Sequence, residues 1–293
     1  MTGSPGVVAV VAWRHARTNA PLVEAWRELG IRAELLDPPR AHDVLGPGDV
    51  ALARVDVTPS LDGVERGLLE IAALRGRGVR LLNGPEEQIA AHDKLQTAQR
   101  LDSARIPHPR TVHAVGLDEL AALELPFVLK PRFGSWGHDV MLCRDPADVE
   151  LALSVLRERS WFEAQGVLAQ ELVPPCGHDV RLIVAGGRVV GAAERRAPPG
   201  EWRTNLSYGA RLVPAAPSSK ASALAVAAAQ AIGADLVGVD LLPLPDGGYI
   251  VLEVNGAVDF GAEYSLPGGD VYRDVAGALG LTPQVAAAAG DAV

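Results

Sequence analysis

The chain has 293 residues, 48% of them hydrophobic and only 4% aromatic, with a formal net charge of -9. That length suits two or three small domains of ordinary α/β composition. The negative balance argues against a nucleic-acid binder, which needs a positive surface to displace counterions. From the N-terminus, 7–13 is an apolar run without a basic segment before it, and predicts a first strand rather than a signal peptide. A helix follows from about Pro21, with Leu22, Val23, Trp26 and Leu29 on one stripe and Gly30 as its stop. Strands at 31–36, 50–55 and 79–82, with a helix near 64–74, complete a small parallel-sheet domain. It lacks the G-x-G-x-x-G of a dinucleotide site, and no G-x-x-x-x-G-K-[ST] occurs anywhere in the chain.

After Asn83-Gly84-Pro85 the pattern predicts one helix over 86–104, then strands at 127–130 and 139–142. Asp145-Pro146-Ala147-Asp148 is a helix start, with a capping acid, a proline in the first turn and a second acid facing the dipole. The helix that it opens carries Val149, Ala152, Leu153 and Leu156 on one face. The last third reads as strands at 167–172, 180–185 and 189–193, a buried alanine-rich helix at 221–232, and a hairpin of 236–242 with 249–255 about the Asp246-Gly247 turn. No apolar run is long enough to span a membrane. Cys143 and Cys176 match no metal or redox spacing, which predicts a reduced, cytoplasmic protein.

Chemistry gathers in two places. If the hairpin folds back symmetrically, Asp240 lies opposite Glu253, and Asn255 shares the face of Glu253 because alternate strand residues point the same way. Such hard oxygens suit Mg²⁺; a solvated strand end is the competing reading. In the second place, Lys130 closes a buried strand, and the following loop carries Gly134-Ser135-Trp136-Gly137. Glycines let backbone N–H groups approach phosphate oxygens and a lysine adds a point charge, although an ordinary turn has the same composition.

The order Asp93-Lys94, Lys130-Pro131 with its Gly-Ser-Trp-Gly loop, Gln170-Glu171, Asp179-Val180-Arg181, Trp202-Arg203-Thr204-Asn205, Gly238-Val239-Asp240 and Glu253-Val254-Asn255 resembles the ATP-grasp ligases. Within them the chain is most similar to the RimK-type glutamate ligases and their LysX-type relatives. The resemblance implies an ATP-grasp fold: an N-terminal parallel-sheet domain (1–85) ahead of a central lobe (86–168) and a C-terminal lobe (169–293), both α+β, that clasp ATP. It implies ATP and Mg²⁺, with Mn²⁺ as an alternative ion. Lys94 and Lys130 would contact the phosphates beneath the Gly134, Ser135, Trp136 and Gly137 loop. Gln170, Glu171, Leu172 and Val173 would meet the adenine, and Asp179 the ribose. Asp240, Glu253 and Asn255 would hold the metal, while Arg181, Arg203 and Asn205 face the reacting phosphate and the substrate carboxylate. Arg14 and Arg54, at the ends of N-terminal strands, are candidate substrate contacts, as is His138, which stands where many relatives carry arginine. The implied reaction activates a carboxylate as an acyl phosphate and passes it to an amine. The expected partners are a small-molecule carboxylate and amine or an amino-acid carrier peptide, in a homodimer or homotetramer. A nucleotide-binding regulatory or scaffold protein without turnover is the alternative from another class.

Overall fold

A computed structural model describes residues 6–13 and 16–283. Its first sheet alternates β1 (Val8–Val11), α1 (Asn19–Glu28), β2 (Ala33–Leu36), α2 (Pro38–Val44), β3 (Val50–Ala53), α3 (Leu68–Gly76) and β4 (Arg80–Leu82), with all strands parallel in the order β2-β1-β3-β4. The two central strands, β1 and β3, read as unbroken apolar runs because helices cover both faces. The stripe expected on α1 is buried at Leu22, Val23 and Trp26. Helix α2 was not expected from its two prolines, yet proline is tolerated in a first turn, and the Asp37 carboxylate accepts from the Arg40 N–H at 2.8 Å. Helix α3 begins later than predicted, since Val57 and Val64 pair in a bridge before it.

The single helix expected over 86–104 is two, α4 (Pro85–His92) and α5 (Lys94–Ser103). Asp93 breaks it: its backbone is extended (φ -81°, ψ 100°) and its carboxylate caps α5 through the Leu95 N–H at 3.1 Å. Next come β5 (Thr111–Ala114), α6 (Leu117–Leu120), β6 (Phe127–Lys130), β7 (Met141–Cys143), α7 (Pro146–Leu156), α8 (Phe162–Gln165) and β8 (Val167–Glu171). These strands form an antiparallel sheet in the order β5-β8-β6-β7. Helix α7 starts where its signal predicts, with Asp145 accepting from the Asp148 N–H at 2.9 Å. Its Val149, Ala152, Leu153 and Leu156 pack with Phe127, Leu129 and Trp161.

The remaining strands, β9 (His178–Ala185), β10 (Arg188–Arg196), β11 (Arg211–Pro214), β12 (Leu236–Pro243) and β13 (Tyr249–Asn255), make an antiparallel sheet in the order β11-β10-β9-β12-β13. Helix α9 (Ser219–Ile232) lies on one face, where its alanines at 221, 225, 228 and 229 are buried and permit close approach; helix α10 (Val271–Ala278) lies on the other. The hairpin has the expected register, Asp240 against Glu253 and Gly238 against Asn255, with a bulge just beyond Asp240.

Sheet membership differs from the division expected at 86 and 168. Ala90, Ala91 and Leu101 of α4 and α5 are buried in the core of the C-terminal sheet, and β8 stays with the central one as far as Glu171. Asn83 ties the N-terminal domain to the C-terminal sheet: its amide donates to the Leu236 carbonyl at 2.6 Å and accepts from the Asp235 N–H at 2.7 Å. A cleft opens between the central sheet and the C-terminal sheet, while Val57 and Leu61 of the N-terminal domain pack into the core of the central sheet. Among the described residues no helix is long and apolar enough to cross a membrane.

Candidate active site

A cavity of about 230 Å³ lies in that cleft. Lys130, the last residue of β6, is buried and donates to the Gln170 Oε1 at 2.7 Å; Gln170 is oriented in turn by donating to the Thr111 hydroxyl at 2.9 Å. Burial lowers the Lys130 ammonium from 10.5 to about 8, against the pull of Glu253. A buried cation whose hydrogen-bonded partner is a neutral amide gains from any polyphosphate that enters. Lys94 arrives from the other side, at the first position of α5. Its Nζ donates to the Gly134 carbonyl at 2.6 Å and stands 3.8 Å from Glu253. It is not a solvated helix lysine, because Asp93 also grips Arg132 and so pins the start of α5 to the loop after β6.

Opposite the lysines, strand register builds a ladder of charge. Asp240 faces Arg181 across β12 and β9, and Asp179 faces Arg195 across β9 and β10. Arg181 binds Asp240 through both oxygens at 2.7 and 2.8 Å, while Arg195 reaches Asp240 at 2.8 Å and grips Asp179 with a second fork. Burial would raise the Asp240 carboxyl, but Arg181 and Arg195 outweigh it and hold it well below its ordinary range.

Glu253 and Asn255 complete the corner. Among the described residues the Asn255 Nδ2 is buried and finds no acceptor, so no hydrogen bond from that nitrogen fixes the amide. Asp240 Oδ1 accepts one N–H and keeps lone-pair capacity. Two carboxylates and an amide are hard donors of the kind Mg²⁺ takes, and the residues fit that ion.

The glycine loop crosses the cleft. Trp136 and Gly137 have φ of 61° and 77°, and a Cβ on Gly137 would lie 2.8 Å from the Asn205 Oδ1, so glycine is required there. Ser207 donates to the Trp136 carbonyl at 2.5 Å and Tyr208 to that of Gly137 at 3.2 Å. Ser135 and the exposed His138 line the cavity, as do Arg203 and Asn205. Arg203 is forked onto Glu201 at 3.0 and 2.9 Å, and this hydrogen bonding lowers the Glu201 carboxyl to about 2. At the end of β8, the exposed Glu171 and the half-buried Leu172 and Val173 form an edge of the cavity.

The structure adds to one expectation, changes a second and does not reach a third. Asp179 lines the cavity but is fully buried, and its oxygens accept from Arg195 and, at 2.6 Å, from Thr204, so it also serves as a counter-ion of the ladder. Arg54 lies behind the cavity wall instead of in it: it donates to the Asn19 amide and the Val258 carbonyl, each at 2.6 Å. Burial lowers it to about 10. Arg14 lies outside the described residues. Sequence reasoning passed over Arg195, Thr204, Glu201 and Tyr208. The signal available for Arg195 was its period-2 spacing along β10, which was visible only once that strand was known to extend to Arg196.

A family model described as a RimK-like ATP-grasp domain matches residues 91–269. The chain is similar to "Glutamate--LysW ligase ArgX" of Sulfurisphaera tokodaii, 28% identical over 228 residues, covering 76% of this chain and 79% of that protein. It is similar also to "Probable alpha-L-glutamate ligase" of Serratia proteamaculans, 32% identical over 266 residues, covering 85% and 87%. It spans about half the length of some relatives, such as 49% of human "Beta-citrylglutamate synthase B". Among solved structures it resembles the RimK domain ATP-grasp protein of Sphaerobacter thermophilus, with a TM-score of 0.64, 26% identity, and coverage of 94% of this chain and 99% of that one.

Proposed function

The chain belongs to the RimK-like ATP-grasp ligases, and on that footing we propose that it joins an amino acid such as glutamate through an amide bond to a small molecule or a carrier peptide. The observation that carries this is the meeting of Lys94 and Lys130 with Asp240, Glu253 and Asn255 around one cleft. Glutamate is favoured because ligases of glutamate recur among the relatives. The free thiols of Cys143 and Cys176 fit a reducing cytoplasm.

In this reading a carboxylate oxygen attacks the γ-phosphorus and ADP leaves. The amine nitrogen then attacks the acyl carbon, phosphate leaves and the nitrogen loses a proton. Phosphoryl transfer asks the protein chiefly for position and charge. Lys130 and Lys94 neutralise the phosphates. The loop 134–137 covers them and excludes water. Arg203, aimed by Glu201, and Arg181 hold the substrate carboxylate and the oxygens in flight. Asp240, Glu253 and Asn255 would hold Mg²⁺, whose charge offsets that of the β- and γ-phosphates. No Ser-His-Asp or Cys-His set is required.

The test is ADP release with Mg²⁺ and ATP over a matrix of acids and amines, followed by mass spectrometry of the product. Release that needs both an acid and an amine supports the proposal. Nucleotide binding without release from any pair would instead support the silent binding protein.

A further inference from the structure

We propose that Tyr208, which lies outside the cavity lining, is a positioning residue that couples closure of the glycine loop to the aim of Arg203. The proposal rests on the ligase reading for what Arg203 does. The Tyr208 ring lies 3.5 Å from the Arg203 guanidinium carbon, centroid to Cζ, which is stacking distance. At its far end the same ring donates its hydroxyl to the Gly137 carbonyl at 3.2 Å. One rigid side chain therefore touches the loop of the central lobe and the arginine of the C-terminal lobe.

The arginine is held most closely on two sides, with the Trp202 ring farther off at 5.7 Å. Glu201 takes its Nε and one Nη in a fork, and Tyr208 supports the flat face. The fork fixes the guanidinium's direction within its plane, and the ring fixes the plane itself. Without the ring, Arg203 can swing about the fork, and small errors of aim cost heavily in a reaction run by positioning. The loop side is equally direct: a Cβ on Gly137 would come within 3.0 Å of the Tyr208 ring, so the ring edge lies against the loop backbone. Ser207 makes the neighbouring contact to Trp136, so the segment 205–208 is zipped to 136–137. When the loop lifts to admit nucleotide, the hydroxyl loses its acceptor and the ring its backstop; when it closes, the arginine plane is restored. Chemistry is then competent only over a covered nucleotide.

Two full-length variants separate the halves. Tyr208→Leu removes ring and hydroxyl; it should lower kcat by about 30–100-fold and weaken Mg·ADP binding, read by calorimetry, by about 3–10-fold. Tyr208→Phe keeps the ring and should recover most of the kcat while retaining the weaker Mg·ADP binding. In an Arg203→Lys background, Tyr208→Leu should cost less than about threefold more, because Tyr208 acts through that arginine. Unchanged kcat in Tyr208→Leu, or fully additive losses with Arg203→Lys, would overturn the proposal. Wild-type protein that shows no turnover with any acid and amine overturns the ligase reading, and the proposal with it.

Discussion

Replacing Arg195 by methionine keeps the side-chain volume and strips the charge ladder of its second cation. Asp179, fully buried, would keep only the Thr204 hydroxyl at 2.6 Å, whereas Asp240 would keep both bonds from Arg181. The loss is therefore concentrated on Asp179. Leaving one buried carboxylate without its cation costs about 3–5 kcal/mol. At roughly 2–4 °C per kcal/mol for a domain of this scale, melting should fall by on the order of 10 °C. Scanning calorimetry at neutral pH reads it directly. The decisive comparison is Asp179→Asn in the same background: removing the stranded charge should return about half the loss, although Asp179→Asn alone destabilises by stranding Arg195. The pH dependence of the wild type has a definite sign. Asp240 titrates below its ordinary 3.8 because Arg181 and Arg195 outweigh burial, so the contribution of Asp240 is complete above that value and is lost only as pH falls well below it. A melting change under 2 °C for Arg195→Met, or additive losses in the double variant, would refute this account of the ladder.

Other predictions concern the ligand side. Nucleotide phosphates stabilise the charged form of Lys130, whose free value is about 8, so the dissociation constant for Mg·ADP should rise above pH 8, by up to about tenfold per unit. Lys130→Met should bind more weakly and lose that slope; an unchanged slope would show that another group titrates. Gly137→Ala forces a side chain onto a residue at φ 77° and against Asn205, and should weaken nucleotide binding by about tenfold with little change in melting temperature. Glu253→Gln should raise the Mg²⁺ concentration for half-maximal nucleotide binding by about tenfold or more; an unchanged requirement would remove Glu253 from the metal corner.

Much of this was legible along the chain because the carriers of the information are local. Asp145-Pro146 starts α7 by its own side-chain chemistry, and the Asp246-Gly247 turn sets the register that brings Asp240 opposite Glu253. The order of the lysines, the glycine loop and the acidic strands identified the family before any contact was known. Asp93 was misread for a physical reason: a helix interior and a helix cap use the same residue, and only the tertiary bond to Arg132 selects the cap.

What the amino-acid sequence determined by itself was most of the strands, the start of α7, the hairpin register and the polar residues available to the cleft. What only the tertiary structure decided was which charges face the cavity and which face one another. Arg54 is as polar as Arg203, yet burial turns it toward the Val258 carbonyl, while cross-strand pairing ties the cavity-lining Asp179 to Arg195. A desolvated charge takes the partner that packing brings within reach, and packing unites residues far apart in the chain.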